Sequence, residues 1–336
     1  MTVILPVRNE AGFIAGALTS IQRAAEQAPT ASVEILVIDG LSDDETREIV
    51  EGFAAADARI SLLDNPQRTV PHAMNLGIRS ARGDVVIRLD GHAEIESDYI
   101  VNALEELRAH PECVCVGGPI ANIGRDATSS AISQAMSSSF GVGNARFRTG
   151  GQDGYVDTLA FGAYRRSELI AIGLFDEALT RNEDDDLNFR LVTAGNKLWF
   201  SNRIRSRYYV RAELGKLYRQ YFQYGYWKVY VNRKHNTVTS IRQLAPPVLV
   251  SSLAILGLLS VFLLPARPLL LILLGVYLAT AAYFALRAAR SLDSAATTFL
   301  AFLALHFGYG IGYLAGFRDF AVLQRQPIIN STRLTR

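Results

Sequence analysis

An excess of either charge is missing from this chain. Lysine and arginine number 34 and aspartate and glutamate 32 in 336 residues, a formal net charge of +2. A chain-wide grip on nucleic acid needs a basic excess, so no nucleic acid is expected as a partner. Wholesale disorder needs high net charge and few apolar residues, and here 49% are hydrophobic. Cysteine is nearly absent. Cys113 and Cys115 make up the total of two, too few for a disulfide framework or a four-cysteine zinc site. At alternate positions of a strand they point to opposite faces and read as core residues in a reducing compartment. A glycine-rich dinucleotide turn is missing too. After the first apolar run stands Pro6-Val7-Arg8-Asn9-Glu10, and no Walker lysine motif occurs, which argues against NAD and P-loop chemistry. Nor do the opening residues read as a secretory signal, because TVILPV is strand-like and Arg8, Asn9 and Glu10 interrupt it at once.

Apolar sequence, by contrast, is plentiful and unevenly placed. Mean hydropathy is +0.15, slightly high for a soluble protein. Between Leu244 and Leu286 the sole charge is Arg267. Leu244–Leu264 is long enough to cross a bilayer, which takes about 20 residues. The turn Pro265-Ala266-Arg267-Pro268 is expected to end it. Leu269–Leu286 reads as a second, slightly short span and Ala295–Gly316 as a third, with His306 inside it. Gly308, Gly310, Gly312 and Gly316 in that third span point to close helix packing rather than to a phosphate loop. Arg233, Lys234 and Arg242 before the first span, and Arg287 and Arg290 between the second and third, predict cytoplasmic loops. The expected arrangement is multi-pass in the inner (cytoplasmic) membrane, with the first 240 or so residues facing the cytoplasm. The tail carries Arg318, Arg325, Arg333 and Arg336 against Asp319, which conflicts with three full spans and leaves the number of crossings open.

The first 240 residues alternate strand and helix. Thr2–Val7, Val33–Ile38 and Val85–Leu89 read as buried strands. Ala11–Ala28, Asp43–Ala55 and Pro71–Ala81 read as helices, the second with Ser42 as cap and Glu45 three residues on. That order implies an α/β fold with a mainly parallel sheet, whose ligands bind beyond the carboxyl ends of the strands. Asp39 and Asp90 fall at such ends. A carboxylate there can accept a hydrogen bond from a base N–H. Asp90 and His92, one residue apart, can hold a divalent ion against a diphosphate. Glu183-Asp184-Asp185-Asp186 opens a helix. Acidic residues at a helix start suit its dipole, yet four in a row exceed what capping needs. Turn capping stays an alternative for Asp39 and Asp90 taken singly.

The segments VILPVRNE, VIDGLSDDET, HAMNLGIRSARGD, VIRLDGHAEI and NEDDDLNFRL resemble, in order, the motifs of the family 2 glycosyltransferases of GT-A fold. Within that family LDGHAEI and the C-terminal spans look most like the succinoglycan-biosynthesis, ExoA-type, branch. The resemblance implies that Pro6, Arg8 and Glu10 line a nucleotide-sugar pocket, with Asp90 beside them, and that Asp39 holds the uracil of a UDP-sugar. Asp90 and His92 would stand at the family's Asp-x-Asp metal motif, holding Mg²⁺ or Mn²⁺. Histidine at the third place departs from the usual pattern and tilts preference toward Mn²⁺. Asp184 would be the catalytic base, with Glu183 and Asp186 near the acceptor. Gln223-x-x-Tyr226-Trp227 is similar to the family's Gln-x-x-Arg-Trp motif, so Gln223 and Trp227 would meet the acceptor. Tyrosine in the arginine's place favours transfer of one sugar over processive synthesis. The same LYRQYFQYGYWK stretch equally suits a membrane-interface helix. Arg203, Arg205 and Arg207, on one strand face, could meet a lipid pyrophosphate, or be plain solvated charge.

The domain reading that follows is a GT-A domain over residues 1–212, an interfacial segment over 213–243, membrane spans over 244–317 and a basic tail over 318–336. The implied activity moves one sugar, glucose by resemblance, from a UDP-sugar to a polyprenyl-diphosphate-linked saccharide at the membrane lipid surface during exopolysaccharide synthesis. Two alternatives stand beside it: a polyprenyl phosphate as acceptor, or a silent sugar-nucleotide-binding subunit.

Overall fold

The continuous apolar runs of the N-terminal half become parallel strands buried on both faces. A computed structural model describes residues 1–289 and 291–325. In it β1 (Thr2–Val7) pairs in parallel with β2 (Glu34–Asp39) and with β4 (Val85–Arg88), and β2 pairs with β3 (Ile60–Asp64). Helices α1 (Ile14–Glu26), α2 (Thr46–Ala56) and α3 (Val70–Ser80) make the crossovers. The close seat of α3 on β1 depends on Gly77, where a Cβ would stand 2.6 Å from Ile4 Cγ2. In register, Val7 lies beside Asp39 and Asp39 beside Asp64, so these carboxyl ends reach one edge of the sheet together.

Beyond β4 the sheet becomes mixed, with β6 and β10 still paired in parallel. The later elements are β5 (Ala93–Ile95), α4 (Tyr99–Ala109), β6 (Cys113–Gly117), β7 (Ile120–Ile123), α5 (Ala127–Met136), α6 (Ser139–Val142) and α7 (Arg146–Thr149). They continue with β8 (Gly154–Val156), β9 (Ala163–Arg165), α8 (Arg166–Ala171), α9 (Glu183–Thr193), β10 (Lys197–Phe200) and β11 (Ser206–Tyr209). The main sheet has the order β3-β2-β1-β4-β9-β6-β10-β8, and a three-stranded sheet runs β5-β11-β7. Strand β9 enters antiparallel between β4 and β6, and β8 adds an antiparallel edge to β10. Only three residues long, β9 is too short for hydropathy to announce, which is why the alternating pattern suggested a mainly parallel sheet and the structure has a mixed one. Both cysteines lie in β6, buried and unpaired.

The chain divides into two compact units. One comprises Met1–Ala121 and Ala145–Tyr209, and the other comprises Asn122–Asn144 and the chain from Val210 onward. The second unit holds α5, α6, α10 (Leu214–Lys234), α11 (Ala245–Phe262), α12 (Ala266–Ala288) and α13 (Leu292–Gly316). Three of its helical stretches are long and apolar enough to cross a membrane: Ile241–Phe262, Ala266–Ala288 and Leu292–Val322. The middle one is not short after all. Pro268 falls in its first turn, where a missing N–H breaks no helical bond, so the helix starts at Ala266. Helix also continues past Gly316 to Val322, so Arg318 and Asp319 are helical rather than tail. Leu258, Val261, Phe262, Leu271 and Val276 of α11 and α12 face outward, as lipid-facing side chains do. Arg290, Arg333 and Arg336, and most of the basic tail, lie outside the described residues.

Two interactions tie the second unit together. Helix α10 runs alongside the second half of α13, with no room for side chains at the contact. A Cβ on Gly312 would lie 2.0 Å from the Phe222 carbonyl oxygen, one on Gly316 2.4 Å from that of Tyr226, and one on Gly225 2.0 Å from that of Tyr309. Helix α5 and its sequel pack on the other half of α13. Thr298 Oγ1 donates to Gln134 Oε1 at 3.0 Å, and Phe140 stacks on Phe284 at 5.0 Å. His306 is held between the Phe140 carbonyl (Nε2, 2.8 Å) and the Tyr277 hydroxyl (Nδ1, 3.1 Å).

Candidate active site

Two loops zip together at the carboxyl ends of β1 and β2. Asn9, at φ 56°, donates from Nδ2 to Asp43 Oδ1 at 2.6 Å and accepts from the Asp43 N–H at 3.0 Å. The Glu10 N–H donates to Thr46 Oγ1 at 2.8 Å, and the Asn9 N–H to Ser42 Oγ at 2.9 Å. Pro6 and Glu10 are buried here and Arg8 is half-buried. Ser42 does not cap α2, whose first turn begins four residues later at Thr46. Instead its hydroxyl donates to Asp39 Oδ1 at 2.5 Å and its N–H to Oδ2 at 3.1 Å. Asp39 is wholly buried, and Arg47 Nη1 completes its shell at 2.8 Å. The same Arg47 nitrogen reaches Asp64 Oδ1 at 2.7 Å, so Arg47 bridges the ends of β2 and β3. A carboxylate offers about four acceptor positions, and these contacts use most of those on Asp39.

Next along this edge stand Asp90 and His92. Gly91 lets the turn close, because a Cβ there would meet Val7 Cγ1 at 2.9 Å and Glu10 Cγ at 3.1 Å. The Asp90 side chain is 23% exposed. His92 turns inward: its Nδ1 lies 3.1 Å from Glu10 Oε1, and its ring packs edge-on against Tyr208 at 4.8 Å. Among the described residues no three His, Cys, Asp or Glu side chains gather in a metal-holding group. The residues therefore fit a divalent ion in part. Asp90 is partly exposed, whereas His92 has Nδ1 beside Glu10, so any ligation by it falls to Nε2.

Arg88, two residues before Asp90, joins this station to the next. Its Nε and Nη2 each lie 3.4 Å from Asp90 Oδ1, and Nη2 is 3.0 Å from Glu183 Oε1 at the start of α9. Burial works against its charge, but Asp90, Glu183 and Asp184 outweigh that and hold the guanidinium protonated. Burial pushes the Glu183 carboxyl above its ordinary range, opposed by Arg88 and reinforced by the Asp184 charge. Asp184 is half-buried; its Oδ1 accepts the Asp185 N–H at 2.9 Å, and Oδ2 has no hydrogen-bond partner among the described residues. Asp186 is wholly buried and paired with Arg190 Nε at 2.9 Å. Arg190 in turn donates to the carbonyls of Ile172 (2.7 Å) and Leu174 (2.5 Å). Thus Asp39, Asp90, Glu183 and Asp184 all belong to one unit, three of them around one arginine.

Gln223 and Trp227 lie on α10 in the second unit, both buried, with Trp227 packed among Tyr226, Tyr230 and Phe320. Arg203, Arg205 and Arg207 each have an acidic partner, Glu105 at 2.5 Å, Asp98 at 3.3 Å and Glu96 at 2.8 Å. Arg88 and Arg47 went unremarked in the sequence. The available signal for Arg88 was a lone charge inside the apolar run VVIRL. For Arg47 there was none, because an arginine on an amphipathic helix looks solvated.

A mixed α/β sheet that gathers carboxylates at the ends of its parallel strands, faced by an acidic helix start, defines a nucleotide-sugar transferase fold of the GT-A kind. Residues 2–173 match the model for Glycosyl transferase family 2, and the chain belongs to that family. It is 30% identical over 247 residues to the succinoglycan biosynthesis protein ExoA of Rhizobium meliloti, covering 73% of each chain. It is 28% identical, over 70% of this chain and 74% of the other, to a Methanococcus voltae enzyme named as a dolichyl N-acetyl-alpha-D-glucosaminyl phosphate 3-beta-D-2,3-diacetamido-2,3-dideoxy-beta-D-glucuronosyltransferase. Among solved structures, mannosyltransferase PcManGT from Pyrobaculum calidifontis, in complex with GDP-Man and Mn²⁺, superposes with a TM-score of 0.63 at 20% identity, covering 93% and 86% of the two chains. The chain is a family 2 glycosyltransferase that carries three helices long and apolar enough to cross a membrane.

Proposed function

We propose that this protein is an inverting hexosyltransferase that moves one sugar, glucose, from a UDP-sugar to a polyprenyl-diphosphate-linked saccharide during exopolysaccharide synthesis. The observation that carries the reading is that Arg88 joins Asp90 to Glu183, the residue next to Asp184 at the start of α9, in the unit that also holds buried Asp39. Asp39, oriented by Ser42 and Arg47, takes the uracil imide N–H. Pro6, Arg8 and Glu10 wall the nucleotide. Asp90 faces the diphosphate. A divalent ion, Mn²⁺ or Mg²⁺, bound there would supply Lewis-acid neutralisation of the leaving group. Asp184 receives the acceptor hydroxyl's proton on its unpaired Oδ2 as that oxygen attacks the anomeric carbon. Attack opposite the leaving diphosphate inverts the centre, so an α-linked donor gives a β-linked product with no covalent enzyme intermediate. Glu183 borders the acceptor, while Asp186 acts through Arg190 on the loop at Ile172–Leu174. The unit that holds Asp39, Asp90 and Asp184 faces the cytoplasm at the inner membrane.

The support for a lipid-linked acceptor is the set of three apolar helices together with the relatives' names. The test is UDP release from a panel of UDP-sugars by detergent-purified protein with Mg²⁺ or Mn²⁺, with and without a membrane lipid extract. Release that depends on lipid and on one sugar is expected. Silence with every donor despite UDP binding would overturn the reading in favour of a silent subunit. Turnover with polyprenyl phosphate alone would replace the saccharide acceptor by the lipid phosphate.

A further inference from the structure

Burying an arginine at the end of an inner strand costs several kcal/mol unless its surroundings return that energy, and the run VVIRL would make a sound strand with an apolar residue in its place. Other arginines of this unit show what a structural role looks like. Arg165 donates to the carbonyls of Cys113 (2.9 Å) and Leu107 (2.7 Å), and Arg190, besides its pair with Asp186, to those of Ile172 (2.7 Å) and Leu174 (2.5 Å). Arg88 does not follow them. Among the described residues its side chain makes no bond to a carbonyl: its hydrogen bonds go to Asp90 and Glu183, and its buried Nη1 has no hydrogen-bond partner there. The guanidinium is placed for the carboxylates rather than for its own satisfaction. It bridges Asp90 at the β4 exit and Glu183 on the first turn of α9, a residue 95 positions further along the chain than Arg88 itself.

We propose that Arg88 is a positioning residue: its planar fork fixes the separation between Asp90, where the donor diphosphate sits, and the Glu183-Asp184 turn, where the acceptor hydroxyl loses its proton. The proposal rests on the transferase reading above. In-line transfer needs the base and the anomeric carbon held in one geometry, and a misplacement of about 1 Å can cost about 100-fold in rate. A rigid fork that touches both stations holds that distance, whereas a lysine ammonium on a flexible stem supplies charge without the angle.

The experiment uses the full chain in detergent, with Arg88→Lys, Arg88→Met, Glu183→Gln and the pair Arg88→Met/Glu183→Gln. Thermal melting, UDP-sugar affinity, donor and acceptor KM and kcat are read for each. Arg88→Lys is expected to fold and to bind donor within about threefold of wild type, with kcat lower by about 100-fold. Losses from Arg88→Met and Glu183→Gln should be far less than multiplicative, because the two act through one contact. The paired variant leaves no buried Glu183 charge behind, so it carries the measurement if Arg88→Met does not fold. A folded Arg88→Lys protein with wild-type kcat overturns the proposal, as does a loss confined to donor KM or losses that multiply. Wild-type protein measured in parallel separates the two readings. If it transfers no sugar, the transferase reading falls and this one with it; if it transfers and Arg88→Lys matches it, this one falls alone.

Discussion

Replacing Gly312 by alanine should separate two helices that now touch backbone to backbone. The added Cβ would sit 2.0 Å from the Phe222 carbonyl oxygen, against an ordinary contact of about 3.4 Å, so α10 and α13 must part locally by about 1.4 Å. Neither atom can swing away, since one is a helix carbonyl and the other is fixed on a helix backbone. Overpacking of this kind costs about 1–3 kcal/mol, and the better helix propensity of alanine returns at most about 1 kcal/mol. The net expectation is a destabilisation of about 1–2 kcal/mol, read as a melting temperature lower by a few degrees. Gly257→Ala and Gly275→Ala are the controls. They lie in α11 and α12 with nothing within 4 Å of the added carbon, and they should melt at or above wild type. The assay is thermal unfolding in detergent followed by tryptophan fluorescence, for which Trp227 sits on α10 itself. Equal melting of Gly312→Ala and Gly257→Ala would refute the argument that close backbone contact, rather than apolar burial at large, seats α10.

Three further outcomes are expected. Asp184→Asn should lower kcat by about 10²–10⁴-fold while UDP-sugar affinity, measured by equilibrium titration, stays within a few-fold; lost donor binding would remove Asp184 from the base role. Chelation by EDTA should stop transfer and added Mn²⁺ or Mg²⁺ restore it, and full activity in chelator would take the metal from Asp90. Hydrogen bonds from the Arg59 side chain hold the Asp57 carboxyl well below the usual range, against its own desolvation. A lowered carboxylate stabilises the fold fully above its unfolded pKa of about 3.9, and that contribution fades as pH falls toward the folded value. Arg59 is more than a third exposed, so solvent screening limits the effect to about 0.5–1 kcal/mol. Asp57→Asn should therefore melt below wild type at pH 7, with the gap narrowing progressively as pH falls below about 4, and a gap that is constant with pH would contradict the pairing.

The parts of this fold that were legible in sequence are those in which one physical cause acts alone. Strands β1, β2 and β4 are buried on both faces, so their apolar runs stand out, and the helices between them carry a clear apolar stripe. The three spans announce themselves because lipid accepts no alternation of polar residues. Strand β9 and the excursion Asn122–Asn144 were hidden because short or weakly patterned segments take their place from partners that lie far off in sequence. The same distinction runs through the site. Asp39, Asp90 and Asp184 could be singled out as candidates because a carboxylate at a strand end or crowded into a helix start is costly without a use. Glu183 and Asp186 looked equivalent to Asp184 in the run of four acids, yet helix geometry turns them to different neighbours: Glu183 to Arg88, Asp186 to Arg190 and Asp184 to an exposure that leaves Oδ2 unpaired. What could not be read was which cation answers which carboxylate. Ser42 illustrates the difficulty, because a serine two places from Asp44 and three before Glu45 satisfies the capping pattern, but the buried charge of Asp39 offers its hydroxyl a stronger partner than a helix N–H does. Competition of that kind is settled by burial, and burial is a property of the folded sheet rather than of any stretch of the chain.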